Sequence, residues 1–75
     1  MKVTIESLLD TAVGICRQYD ELGYDFKMDM RGFYEVTLKF PLLNQKVVIN
    51  LDYPDEYNQQ AWSTFLSWVE WVKQT

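Results

Sequence analysis

Apolar residues follow three rhythms along this chain. From Ile5 they recur at helical spacing as Ile5, Leu8, Leu9, Ala12, Ile15, Cys16 and Tyr19, with Glu6, Asp10, Gly14, Arg17 and Glu21 turned the other way. That spacing predicts an amphipathic helix over about 4–22. Thr4 or Ser7 would cap it, and Glu6 sits in the first turn, where the helix dipole favours a carboxylate. Gly23, just after Leu22, reads as a left-handed helix stop. Gly14 within the helix costs about 1 kcal/mol relative to alanine.

The rhythm then becomes alternation. Tyr24, Phe26, Met28 and Met30 alternate with Asp25, Lys27 and Asp29, predicting a strand over about 24–30 with one wet side. Arg31-Gly32 is a turn signal, with Gly32 supplying a positive φ. A second strand over about 33–40 puts Tyr34, Val36, Leu38 and Phe40 inward and Phe33, Glu35, Thr37 and Lys39 outward. Residues 41–45 break the run, because Pro41 cannot donate to a ladder. A third strand over about 46–53 puts Val47, Ile49, Leu51 and Tyr53 inward and Lys46, Val48, Asn50 and Asp52 outward.

Helical spacing returns over about 56–74. Ala61, Trp62, Phe65, Trp68, Val69 and Val72 form one stripe, opposite Gln59, Ser63, Ser67, Glu70 and Gln74. Asp55 or Asn58 would cap this helix. Leu66 lies at the stripe's edge and Trp71 outside it. Either Trp71 folds back over Trp68 or a neighbouring loop, or it meets a partner. Together these elements predict an α+β fold in a single small domain spanning residues 1–75. A helix, a three-stranded antiparallel meander and a second helix follow in order (α-β-β-β-α), both helices packed on one face of the sheet. Trp62, Phe65 and Val69 would be sealed between the layers.

Composition sharpens this picture. A 75-residue chain buries only about 60% of its unfolded surface, so its large aromatic side chains carry much of the core. A lone cysteine rules out an internal disulfide and suits a reducing cytoplasm. No charged-then-apolar N-terminal run resembles a signal peptide, and no apolar run approaches the ~20 residues needed to span a bilayer. Eleven carboxylates face seven scattered cations, a net charge of −4. Direct nucleic-acid binding and attachment to an anionic membrane both need clustered lysine and arginine, so neither is expected.

The chemistry available is narrow. The chain has no histidine, the usual acid–base group at neutral pH. Cys16 therefore lacks an activating imidazole and falls on the apolar stripe. Neither a zinc spacing nor a glycine-rich phosphate loop is present, and no cofactor is expected. Carboxylates gather at Asp52, Asp55 and Glu56 and again at Asp20, Glu21 and Asp25. The first group does not match the twelve-residue calcium loop. Helix caps and solvated turns account for both groups; the other reading is a carboxylate metal-binding or hydrolytic site on the 52–56 loop. The outer sheet face mixes Asp25, Asp29, Glu35 and Asp52 with Lys27, Lys39 and Lys46, and there Phe33 and Val48 would point to water.

The element order resembles that of the double-stranded-RNA-binding domain. That family opens its last helix with a lysine cluster, whereas here Asn58-Gln59-Gln60 follow Asp55 and Glu56, so RNA binding does not carry over. Tyr53-Pro54 after a strand is similar to the Tyr-Pro turn of the RWD domain. In size, charge and element order the chain also resembles small acidic phage proteins that inhibit bacterial defence nucleases. The function expected is that of a non-catalytic protein-binding module in the cytoplasm. In its sharpest form it is a phage or mobile-element inhibitor occupying a basic surface of a host nucleic-acid-handling protein. Trp71, Trp68, Phe33, Val48, Asp25, Asp29, Glu35, Asp52, Asp55 and Glu56 are the candidate partner-binding residues. The alternative is a structural protein that self-associates, as a homodimer, through Trp71, Trp68 and the outer sheet face.

Overall fold

The computed structural model describes residues 5–74. Their order is α1 (Ile5–Gln18), β1 (Gly23–Asp29), β2 (Gly32–Phe40), a 3-10 turn (Pro41–Leu43), β3 (Gln45–Asn50) and α2 (Asp55–Gln74). The strands form one antiparallel sheet with β2 in the middle. α1 lies over β1 and β2, and α2 lies over β3. The α-β-β-β-α order read from the hydrophobic rhythm is the order of the fold.

Alternation fixes the inner face. Val36, Leu38 and Phe40 of β2 and Ile49 of β3 are completely buried, as is Phe65 of α2. Ile5, Leu9, Ala12 and Cys16 of α1 join them in one core, with Trp68, Val69 and Val72 of α2. Trp62 packs against this core while partly exposed. Each fully buried aliphatic or aromatic side chain contributes about 1.5–3 kcal/mol, so this layer holds the domain together. Burial also pushes the Cys16 thiol above its ordinary pKa. Gly14 lies on the open side of α1, where an added methyl group would meet nothing.

The local differences from expectation have physical causes. α1 ends at Gln18 rather than near 22. The Tyr19 N–H still bonds the Ile15 carbonyl, then the Leu22 N–H bonds the Tyr19 carbonyl, a tighter turn that drops Leu22 into the core. Gly23 is therefore no left-handed stop; it opens β1 opposite Lys39. Ser7 lies inside α1, where its carbonyl accepts the Thr11 hydroxyl at 3.1 Å, and Thr4 lies outside the described residues. At the hairpin, β1 stops at Asp29, Met30 is fully exposed, and Gly32 takes the expected positive φ of 97°.

β3 ends at Asn50 rather than 53, so Leu51 and Tyr53 are exposed instead of inward. The Asn50 side chain accepts the Asp52 N–H at 2.8 Å and its carbonyl accepts the Tyr53 N–H at 3.0 Å, turning the chain out of the sheet. A bulge accounts for a further change. Lys27 pairs with Glu35 and Met28 with Phe33, leaving Tyr34 as an extra residue in β2. One extra residue reverses the alternation beyond it. Phe33 therefore packs against the core with its ring 5.2 Å from that of Phe26, not on the outer face toward water.

Candidate binding surfaces

The sheet has two edges, and the chain treats them differently. α2 runs antiparallel along β3 and holds both of its ends. The Asn58 amide accepts the Asn50 N–H at 3.2 Å and donates to the Asn50 carbonyl at 3.0 Å, as a neighbouring strand would. The Trp68 indole N–H donates to Gln45 Oε1 at 3.2 Å. The spacing fits: from 58 to 68 a helix rises about 15 Å, and from 45 to 50 a strand spans about 17 Å. Asn58 is thus a tether rather than a cap. At the start of α2 the Tyr57 and Asn58 N–H groups bond the Pro54 carbonyl, and Asp55 and Glu56 occupy the exposed first turn.

Beside this tie runs an open groove of about 320 Å³, lined by Val47, Val48, Tyr57, Gln60, Ala61 and Thr64. Val48 faces outward opposite Thr37 and is half-buried. Farther along the same side of α2 is Trp71, 47% exposed, with one side against the Phe40 ring at 5.6 Å. Trp71 therefore folds onto the sheet's last buried aromatic and still shows half its surface to solvent. Trp68 does not serve as a surface residue: it is 5% exposed, its ring lies between Phe40 and Phe65, and its polar atom is bonded.

Among the described residues, β1 is the open edge. Tyr24, Phe26 and Met28 keep at least a third of their surface exposed on this seven-residue strand. The Tyr24 and Phe26 rings stack at 6.5 Å, and Phe33 continues the row. Asp25 accepts the Phe26 N–H at 2.8 Å.

The other nominated carboxylates are engaged one by one. Arg31 bridges Asp29 at 3.0 Å and Asp52 at 3.3 Å, with its guanidinium carbon 5.4 Å from the centre of the Tyr34 ring. Hydrogen bonds from Arg31 hold the Asp29 carboxyl below the usual carboxylate range. Glu35 takes Lys27 at 3.3 Å on one oxygen and the Asn50 amide at 3.1 Å on the other, a polar row across all three strands. Asp52 thus turns to the hairpin while Asp55 and Glu56 stay on α2. Among the described residues, no group of three or more carboxylate, thiol or imidazole side chains stands close enough to hold a metal ion. No described helix is long and apolar enough to cross a membrane.

Charge is divided between the layers. The sheet and its turns carry Asp25, Asp29, Glu35 and Asp52 against Lys27, Arg31, Lys39 and Lys46, which cancel. The whole excess of four carboxylates therefore lies outside the sheet. Glu6, Asp10, Asp20, Glu21, Asp55, Glu56 and Glu70 are all exposed there. Compared with known proteins, the chain matches no family model, no curated protein and no solved structure.

Proposed function

We propose that this domain is a non-catalytic protein-binding module that works in a reducing cytoplasm by covering a basic surface of its partner. In the form we favour, the partner is a host nucleic-acid-handling defence protein and the domain is an inhibitor from a phage or mobile element. The observation that carries the reading is the separation of charge: a neutral sheet on one side, and on the other the helices with the turn after α1, where seven exposed carboxylates outnumber the exposed cations Arg17 and Lys73, the latter paired with Glu70 at 3.5 Å. A basic groove built to bind phosphates meets complementary potential on that layer, which speeds encounter and makes it salt-sensitive. Trp71, half-exposed on α2 and braced by Phe40, supplies the kind of rigid aromatic anchor that dominates binding energies. Asp25, Asp29, Glu35 and Asp52 contribute less than their sequence positions suggest, because cations of the same sheet answer them.

The test is capture of partners from the native host across a range of salt concentrations. The wild-type domain is compared with the triple variant Glu6→Gln/Asp10→Asn/Glu56→Gln and with Trp71→Ala. A specific partner that dissociates as salt rises, and that either variant fails to retain, supports the proposal. A partner held equally by all three proteins at high salt counts against it.

A further inference from the structure

We propose that the free edge of β1 is a seam for a second copy of this chain, the two β1 strands pairing antiparallel about a two-fold axis at Phe26 to make one six-stranded sheet. This inference goes beyond the acidic-layer reading, since it uses a different surface and a different partner.

The first support is the direction of the backbone groups. In an antiparallel strand the N–H and C=O of a residue point the same way, and successive residues alternate. The Asn50 N–H and C=O bond Asn58, so they face away from β2. Ile49 then faces β2 and pairs with Val36, which turns Val36 toward β3 and away from β1. Phe26, opposite Val36, is left with both groups aimed at the open edge. The Phe26 N–H agrees, since its hydrogen bond goes to the neighbouring Asp25 carboxylate. A residue on a two-fold axis in an antiparallel pair needs this orientation, because it exchanges both hydrogen bonds with its own copy.

The second support is the side-chain register. Phe26 is the midpoint of β1. With the axis there, Asp25 faces Lys27 of the second copy on the outer side, and the reciprocal pair repeats it. On the helix side Phe26 meets Phe26 and Tyr24 meets Met28, an aromatic pair flanked by sulfur–aromatic contacts. Other registers do worse. An axis at Lys27 sets lysine against lysine and Asp25 against Asp29, and it presents backbone groups already aimed at β2. An axis at Met28 shortens the paired stretch by running off the strand into the Met30-Arg31 turn. The central register thus joins charge complementarity, exposed apolar side chains and backbone groups aimed at the open edge, the Phe26 N–H among them held by Asp25. Asp25 exchanges its bond to Phe26 for one to Lys27 of the second copy, and Phe26 gains a backbone acceptor.

A seam of one short strand per copy belongs with small, transient interfaces, below about 1,200 Å² in total. Sedimentation velocity from about 10 μM to about 1 mM is therefore the suitable range for so small a seam. The wild-type coefficient should climb toward that of two copies. D25K puts like cations opposite each other and K27D puts like carboxylates opposite each other, so each variant alone should remain a monomer. Mixed in equal amounts, the two become complementary and should form the heterodimer. A wild-type monomer at every concentration, an undiminished dimer in either single variant, or a monomeric mixture of two variants folded by circular dichroism overturns the proposal.

Discussion

The two edges of this sheet receive opposite treatment from one chain. β3 is clasped at both ends by side chains of α2, Asn58 at Asn50 and Trp68 at Gln45. β1 carries aromatic and sulfur-containing side chains on an edge that no strand of the described residues flanks, and the Phe26 N–H bonds the Asp25 carboxylate. Placement explains the asymmetry. α2 lies along β3 and bonds both of its ends, while α1 lies across β1 and β2. A two-helix cover can seal a three-stranded sheet from above without guarding both of its sides. Stability and exposure are therefore distributed by edge, and interaction is expected where the cover stops.

The largest expected effect tests this contrast directly. Phe40→Ala empties a fully buried site beneath Trp68 and Trp71 and should cost about 3–5 kcal/mol. Phe26 is 44% exposed, so Phe26→Ala should cost less than about 1.5 kcal/mol. Urea melts of the two variants compare them; equal costs would mean that β1 is as firmly held as the rest.

Next comes the tether. Asn58→Ala strips the Asn50 N–H of its partner, leaves the Asn50 carbonyl with the Tyr53 N–H alone, and should cost about 1–3 kcal/mol. Hydrogen exchange at the Asn50 amide should quicken well before exchange at Ile49. An unchanged Asn50 exchange rate would show that α2 does not secure β3.

The smallest effect is at the hairpin tip, where β1 ends at Asp29. Asp29 has a depressed pKa when folded because Arg31 hydrogen-bonds its ionised form. The contribution of this ion pair is complete above the ordinary carboxylate range and fades as pH falls through the depressed value. The carboxyl carbon shift of Asp29 and the Nε–H signal of Arg31 should change together on acidification, with Asn50 exchange unaffected. Loss of the tether in the same pH window would join the two regions into one unit.

Much of this was legible in residue order. The stripe of Phe65, Trp68, Val69 and Val72 and the alternation of Val36, Leu38 and Phe40 state period, face and order at once, because burial acts on side chains at fixed spacing. Asn50 and Asn58 were harder. Each looked like a solvated or capping residue, and only the docking of α2 on β3 makes them partners. The Asn50-x-Asp52 spacing did carry the signal for an early strand end, since asparagine side chains turn the backbone two residues on. Phe33 departs from the alternation that Val36, Leu38 and Phe40 set, because the bulge at Tyr34 shifts the register and nothing in the adjacent Phe33 and Tyr34 announces a bulge. The division of charge was mostly legible, since alternation groups Asp25, Asp29, Glu35 and Asp52 with Lys27, Lys39 and Lys46; the fourth cation, Arg31, reads only as a turn residue until the fold sets it between Asp29 and Asp52.

Cys16 offers a consequence of a practical kind. It is the chain's single thiol, buried under α1 and reluctant to ionise. A thiol-modifying reagent therefore reacts only when α1 lifts from the sheet, and the labelling rate becomes a clock for that opening in the unmodified protein. Run beside amide exchange at Asn50, the clock tells whether the two helices leave the sheet separately or in a single step.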